Sequence, residues 1–92
     1  MNKERRKRLR KVVWILESKK LNEALTELED ILSDEEYAFD SMPENLQYSM
    51  RGEESQECID TMESAIDDLN EIINGGDSDL EDIINDLSMI SF

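Results

Sequence analysis

Leu21, Leu25, Leu28, Leu32 and Phe39 recur at spacings of 4, 3, 4 and 7, with Glu35 in the one heptad slot between the last two. Apolar residues at this spacing line one side of an α-helix, and so narrow a stripe suits a helix packed along another helix. A second stripe, Ile59, Met62, Ile66, Leu69 and Ile73, follows 3-4-3-4, with Ala65 and Ile72 widening it. It predicts a helix over 53–73, ended by Asn74-Gly75-Gly76, where glycine can take the left-handed cap conformation. Ser78 with Glu81 three residues on reads as a capping box. It opens a short helix over 78–90 that would bury Leu80, Ile83, Ile84, Leu87 and Ile90. No segment alternates as a strand does. The expected fold class is all-α: a long N-terminal helix and a second helix forming an antiparallel, coiled-coil-like helical hairpin, plus a short C-terminal helix.

Gly and Pro are absent from residues 1–42, so nothing there forces a break, and the first helix is expected over 4–40. Upstream, Leu9, Val13 and Leu16 keep the spacing, but the next slot is Lys20. The stripe therefore shifts by one residue around Ser18–Leu21, as a change of phase in one helix or as a kink. Pro43 opens the connection 41–52, with Ser41 placed to cap a short turn or helix over 43–47 and Gly52 closing it. At 1.5 Å per residue the first helix is about 55 Å long and the second about 31 Å, which leaves the first third of the chain unpaired. The third helix can lay its apolar residues on Leu9, Val12, Val13 and Leu16. Its acids, Asp77, Asp79, Glu81, Asp82 and Asp86, would then face the basic arm. Ninety-two residues make one small domain with little core to spare.

Charge divides sharply along the chain. Residues 1–20 hold nine Lys/Arg against two acids, a net of +7; residues 21–92 hold Arg51 against 22 acids, a net of −21. With 38% hydrophobic and 37% charged residues, the chain has too regular an apolar pattern for a disordered acidic tail. The one apolar run of the N-terminus, Val12–Leu16, is too short for an export signal or a membrane span. Cys58 is the only cysteine and fits a reducing compartment. A cytoplasmic protein is expected.

The connection FDSMPENLQYSMRGE (Phe39–Glu53), followed by an acidic heptad helix, carries a resemblance. Glu36–Ile73, about 40% of the chain, resembles small acidic helical-hairpin proteins carried by phages and other mobile elements of low-GC Gram-positive bacteria. Pro43, Glu44, Leu46, Gln47, Arg51, Gly52 and Glu53 are the matching positions. The resemblance implies a helical hairpin and a mobile-element setting. It implies no particular activity.

Candidate chemistry is sparse. There is no His, no Ser/His/Asp or Cys/His set and no glycine-rich phosphate loop, so no enzyme is expected. Cys58 lies among Glu57 and Asp60, whose charges disfavour a thiolate, and reads as a small residue at the core edge. Asp77-Ser78-Asp79-Leu80-Glu81 begins like a calcium loop, but Asp82 stands where the loop needs Gly and Ser88 where it needs Glu. One Cys and no His give no zinc site. No metal or cofactor is expected.

Three partner readings remain. Glu53, Glu57, Asp60, Asp67 and Glu71 share one face of the second helix; Glu23, Glu27, Asp30 and Asp34 form a similar row on the first. Like charges at this spacing weaken a helix, and rows of carboxylates can imitate a phosphate backbone. The plain alternative is a solvated face that confers solubility. The favoured expectation is a mobile-element inhibitor of a host or defence nucleic-acid-binding protein, acting by nucleic-acid charge mimicry. A homodimer is expected under this reading too; the second reading is a structural or adaptor coiled-coil homodimer that acts through Val12–Leu16. There apolar residues cover nearly the whole helix, so Trp14 and Ile15 would be exposed in a monomer. The third is DNA binding by Arg5-Arg6-Lys7-Arg8 with Arg10 and Lys11, against which the net charge of −14 argues.

Overall fold

Lys19 has φ +62°, and that one residue reshapes the first half of the molecule. In the computed structural model, which describes residues 1–91, the stretch 4–40 is two helices, α1 (Lys3–Glu17) and α2 (Leu21–Asp40). The expected single helix is corrected here. Lys19 N–H donates to the Leu16 carbonyl at 2.9 Å and Lys20 N–H to the Ile15 carbonyl at 3.3 Å. These are the two bonds of a Schellman cap, closed with a lysine where glycine is usual. The shift of phase at Ser18–Leu21 marks this turn, after which α1 folds back along α2.

Three further helices follow: α3 (Glu44–Gln47), α4 (Met50–Ile73) and α5 (Leu80–Ser91). The four long helices pack in a ring, α1 on α2, α2 on α4, α4 on α5 and α5 on α1, within 42 × 22 × 19 Å. Short connections make neighbours antiparallel, so α1 and α4 run the same way at opposite corners. The described residues are helical with no strand.

A ring of four changes which positions are buried. On α2 the innermost residues are Ala24, Leu28, Ile31 and Glu35, while Leu21, Leu25, Leu32 and Phe39 are half-buried on the flanks. The stripe expected to be the seam is one shoulder of a broader core, because α2 faces two neighbours instead of one. The same holds for α1, pressed between α2 and α5: Leu9, Val12, Val13, Ile15 and Leu16 are all buried. Ile15 is therefore a core residue, 2% exposed, and the expectation that it lies on the surface fails. On α4 the core line is Cys58, Met62, Ala65 and Leu69, with Ile59 also buried. Ile83 and Leu87 of α5 complete the core; Leu80, Ile84 and Ile90 are half-buried against it.

Glu35, in the heptad slot, is 1% exposed and fully bonded. Arg5 Nε donates to its Oε1 at 2.8 Å and Ser55 Oγ to its Oε2 at 2.5 Å. One carboxylate thus joins α1, α2 and α4.

The remaining differences are at helix ends. α4 begins at Met50, three residues earlier than the expected 53, so Gly52 lies in its first turn instead of closing the connection. A Cβ at Gly52 would overlap the Gln47 and Leu46 carbonyl oxygens, so only glycine lets α3 lie this close to α4. Gln47 Nε2 in turn donates to the carbonyls of Phe39 and Met42 at 3.1 and 3.3 Å, satisfying the end of α2. Ser41 ends α2 instead of capping α3, and no side chain caps α3. Past α4, Gly75 (φ +89°) and Gly76 donate to Ile72 and Glu71, the expected glycine cap. The side chain that caps the start of α5 is Asp79, whose Oδ1 accepts from Glu81 N–H at 2.9 Å; Ser78 bonds Glu71 instead.

Lys19→Gly tests the turn. It removes the left-handed penalty, about 1–2 kcal/mol for a residue with a Cβ, and gives back part of that in unfolded-chain freedom, about 0.4–1 kcal/mol. A net gain of about 0.5–1 kcal/mol in urea unfolding is expected. A loss of stability would mean that residue 19 does not hold this conformation.

Candidate functional site: the acidic face of α4

With Cys58, Met62, Ala65 and Leu69 turned inward, the opposite side of α4 is fixed toward solvent. Glu53, Glu57, Asp60, Asp67 and Glu71 all lie there and all are exposed. Successive turns of 3.6 residues bring them into one row, and the 18 residue steps from Glu53 to Glu71 extend about 27 Å. Two carry uncharged partners: Gln56 Nε2 donates to Asp60 Oδ1 at 2.9 Å and Ser78 Oγ to Glu71 Oε2 at 2.7 Å. Ion pairs among the described residues go elsewhere, to Asp34, Glu35 and Glu54. Along its α5 side the row borders a groove of about 340 Å³, walled by Glu57, Asp60 and Ser64 of α4 and by Asp86, Met89 and Ile90 of α5.

The second acidic row fares differently. Asp34 accepts from Arg8 Nη1 at 2.5 Å and Glu27 is half-buried, so the α2 row is partly taken up by the packing of α1.

The basic segment is not an appendage but α1 itself. Arg5 binds Glu35, Arg6 pairs with Glu54 and Arg8 with Asp34. The α5 carboxylates do not fill the role expected of them. Because α5 runs antiparallel to α1, its C-terminal end, not its acidic start, meets the arginines. Arg6 Nη1 donates to the Ile90 carbonyl at 3.1 Å and Arg10 Nη1 to the Ser91 carbonyl at 2.8 Å. Both satisfy carbonyls at the negative end of a helix. Lys3, Lys7 and Lys11 stay exposed on the outer side of α1. Trp14 shares that side and is 64% exposed, as expected.

Cys58 is buried, and desolvation pushes its thiol above the ordinary cysteine value. Among the described residues no three His, Cys, Asp or Glu side chains are grouped to hold a metal ion. None of the described helices is long and apolar enough to cross a membrane. Glu35 and Ser55 are buried polar residues to which apolar spacing alone assigns no role. The signal was a carboxylate in an apolar slot, which requires a buried cation in any packed arrangement.

No family model matches the chain, and neither the curated proteins nor the solved structures contain a match.

Cys58 offers a direct check on this packing. A thiol reagent should label native protein at least about 100-fold more slowly than the urea-unfolded chain, since the thiol must first be uncovered. Equal rates would show that α4 does not bury this position.

Proposed function

We propose that this protein is a non-enzymatic, acidic binding protein that occupies the nucleic-acid cleft of a basic partner. The observation that supports this most is the exposed row Glu53, Glu57, Asp60, Asp67 and Glu71 on one rigid helix. Its members are about 4.5–10.5 Å apart along the axis. The row holds its charge in the folded state at a cost in helix repulsion, a few tenths of a kcal/mol per like pair. Lysines on the same face would have removed that cost, and the chain has none beyond Lys20. Preorganised carboxylates of this kind attract a cationic cleft over long range and speed encounter with it. The resemblance of Glu36–Ile73 to mobile-element proteins fits a role against a host or defence nucleic-acid-binding protein in the cytoplasm.

A second reading, self-association as an adaptor, draws on the exposed indole of Trp14. Ile15 takes no part in it, being inside the bundle. Direct DNA binding by α1 has less support, since Arg5, Arg6 and Arg8 are engaged with carboxylates of the same molecule.

Replacing Glu53, Glu57, Asp60, Asp67 and Glu71 by Gln or Asn separates these readings. Helix stability should hold or rise, while binding to a captured basic partner and competition with DNA or RNA for it should be lost. Binding of the unaltered protein should weaken steeply with salt, because charges farther apart than about 10 Å are screened at ~0.1 M. A partner whose binding ignores both salt and the five substitutions would overturn charge mimicry.

A further inference from the structure

The ring of helices sorts surface charge by corner. α1 and α4 lie diagonally opposite and run in the same direction, so their outer sides face away from each other. One presents Lys3, Lys7 and Lys11 with Trp14; the other presents the carboxylate row and the α4/α5 groove. The two sides also match in spacing. Lys3, Lys7, Arg10 and Trp14 are 4, 3 and 4 residues apart, and so are Glu53, Glu57, Asp60 and Ser64.

Laid side by side in parallel, α1 of one copy and α4 of another therefore bring Lys3 to Glu53 and Lys7 to Glu57. Trp14 then falls at Ser64, the small residue on the groove wall beside Met89 and Ile90. An apolar cavity of about 150 Å³ can hold a benzene ring, so a groove of about 340 Å³ has room for an indole. Met89, 79% exposed, supplies a thioether for the ring to cover. The match ends one turn later, where Glu17 meets Asp67.

We propose that the basic, Trp14-bearing side of α1 docks into the acidic α4/α5 groove of a second copy. Joining the same face of both copies would set Lys against Lys or Glu against Glu, so the contact is heterologous. Since α1 and α4 are parallel and face opposite ways, each added copy keeps the orientation of the last. Such a contact does not close on itself, and copies add sideways without limit. The assembly covers the carboxylate face assigned above to a basic partner, and so holds that face in reserve. It is measured on the protein alone, and its failure leaves the partner reading intact.

Sedimentation velocity at about 0.1 M salt, where a screening length of about 10 Å spares the close ion pairs but damps the repulsion between copies of net charge −14, tests the contact. The sedimentation coefficient should keep rising with protein concentration without a plateau at the dimer, and association should weaken at least about 10-fold at 1 M salt, where screening acts within about 3 Å. Two surface variants then define the polarity. Lys7→Ala with Trp14→Ala spoils one side; Glu57→Lys with Asp60→Lys, which meet Lys3 and Arg10 with like charge, spoils the other. Each alone should stay monomeric with native circular dichroism, and an equal mixture should form a 1:1 complex through the two intact sides and grow no further. Glu17→Lys should strengthen assembly of the otherwise unaltered chain, because it removes the repulsion from Asp67. A monomer at every concentration, a plateau at the dimer, or a mixture that forms no complex would each overturn the proposal.

Discussion

A buried carboxylate sets the arrangement of this molecule. Glu35 occupies a slot where a leucine would have extended the apolar stripe of α2, and at 1% exposure it is withdrawn from bulk solvent. Such a group costs several kcal/mol unless it is paired and hydrogen-bonded. Arg5 from α1 and Ser55 from α4 meet that requirement together, which fixes how far α1 slides along α2 and which turn of α4 lies opposite. An all-leucine interface would tolerate neighbouring registers. The Glu35 carboxylate, bonded to Arg5 and Ser55 at 2.8 and 2.5 Å, favours the register observed.

Other polar contacts follow from that register. With Arg5 inward, Arg6 comes beside Glu54 and the end of α5, and Arg8 beside Asp34. These more exposed pairs add little each. Among the described residues no buried side-chain nitrogen or oxygen lacks a partner. Four arginines of the basic segment thus serve the fold, leaving the lysines and Trp14 to define the outer side of α1. The charge asymmetry of the linear sequence becomes an asymmetry between opposite corners of the bundle, and both functional proposals start there.

How much of this could be read beforehand varied with the physical signal. Apolar spacing located the α4 and α5 helices and the docking of α5 on Leu9, Val13 and Leu16, because burial imposes that spacing directly. Gly75 and Gly76 marked the end of α4 because a left-handed cap favours glycine. The change of phase at Ser18–Leu21 marks where α1 ends, but a full reversal there is not legible, because Lys19 takes the left-handed conformation with a Cβ and no residue type announces it. From that single omission came one helix over 4–40 in place of α1 and α2, so the packing of α1 on α2 and the burial of Ile15 were not foreseen. Among the acids, the row on α4 was legible from period alone. Its counterpart on α2 was not, since the partner of Asp34 is set by the fold-back. Two of the residues on which the proposed resemblance rests have structural tasks: Gln47 satisfies the end of α2, and Gly52, in the first turn of α4, lets α3 approach. They bear on architecture more than on activity.

A double-mutant cycle measures whether the Arg5–Glu35 pair holds α1 in register. Arg5→Leu, Glu35→Leu and the double variant would be compared by urea unfolding, with hydrogen exchange read on the α1 amides. A coupling of about 1–3 kcal/mol is expected, with each single substitution lowering α1 protection more than the double substitution does. Independent, additive effects with α1 amides equally protected in all three variants would contradict it.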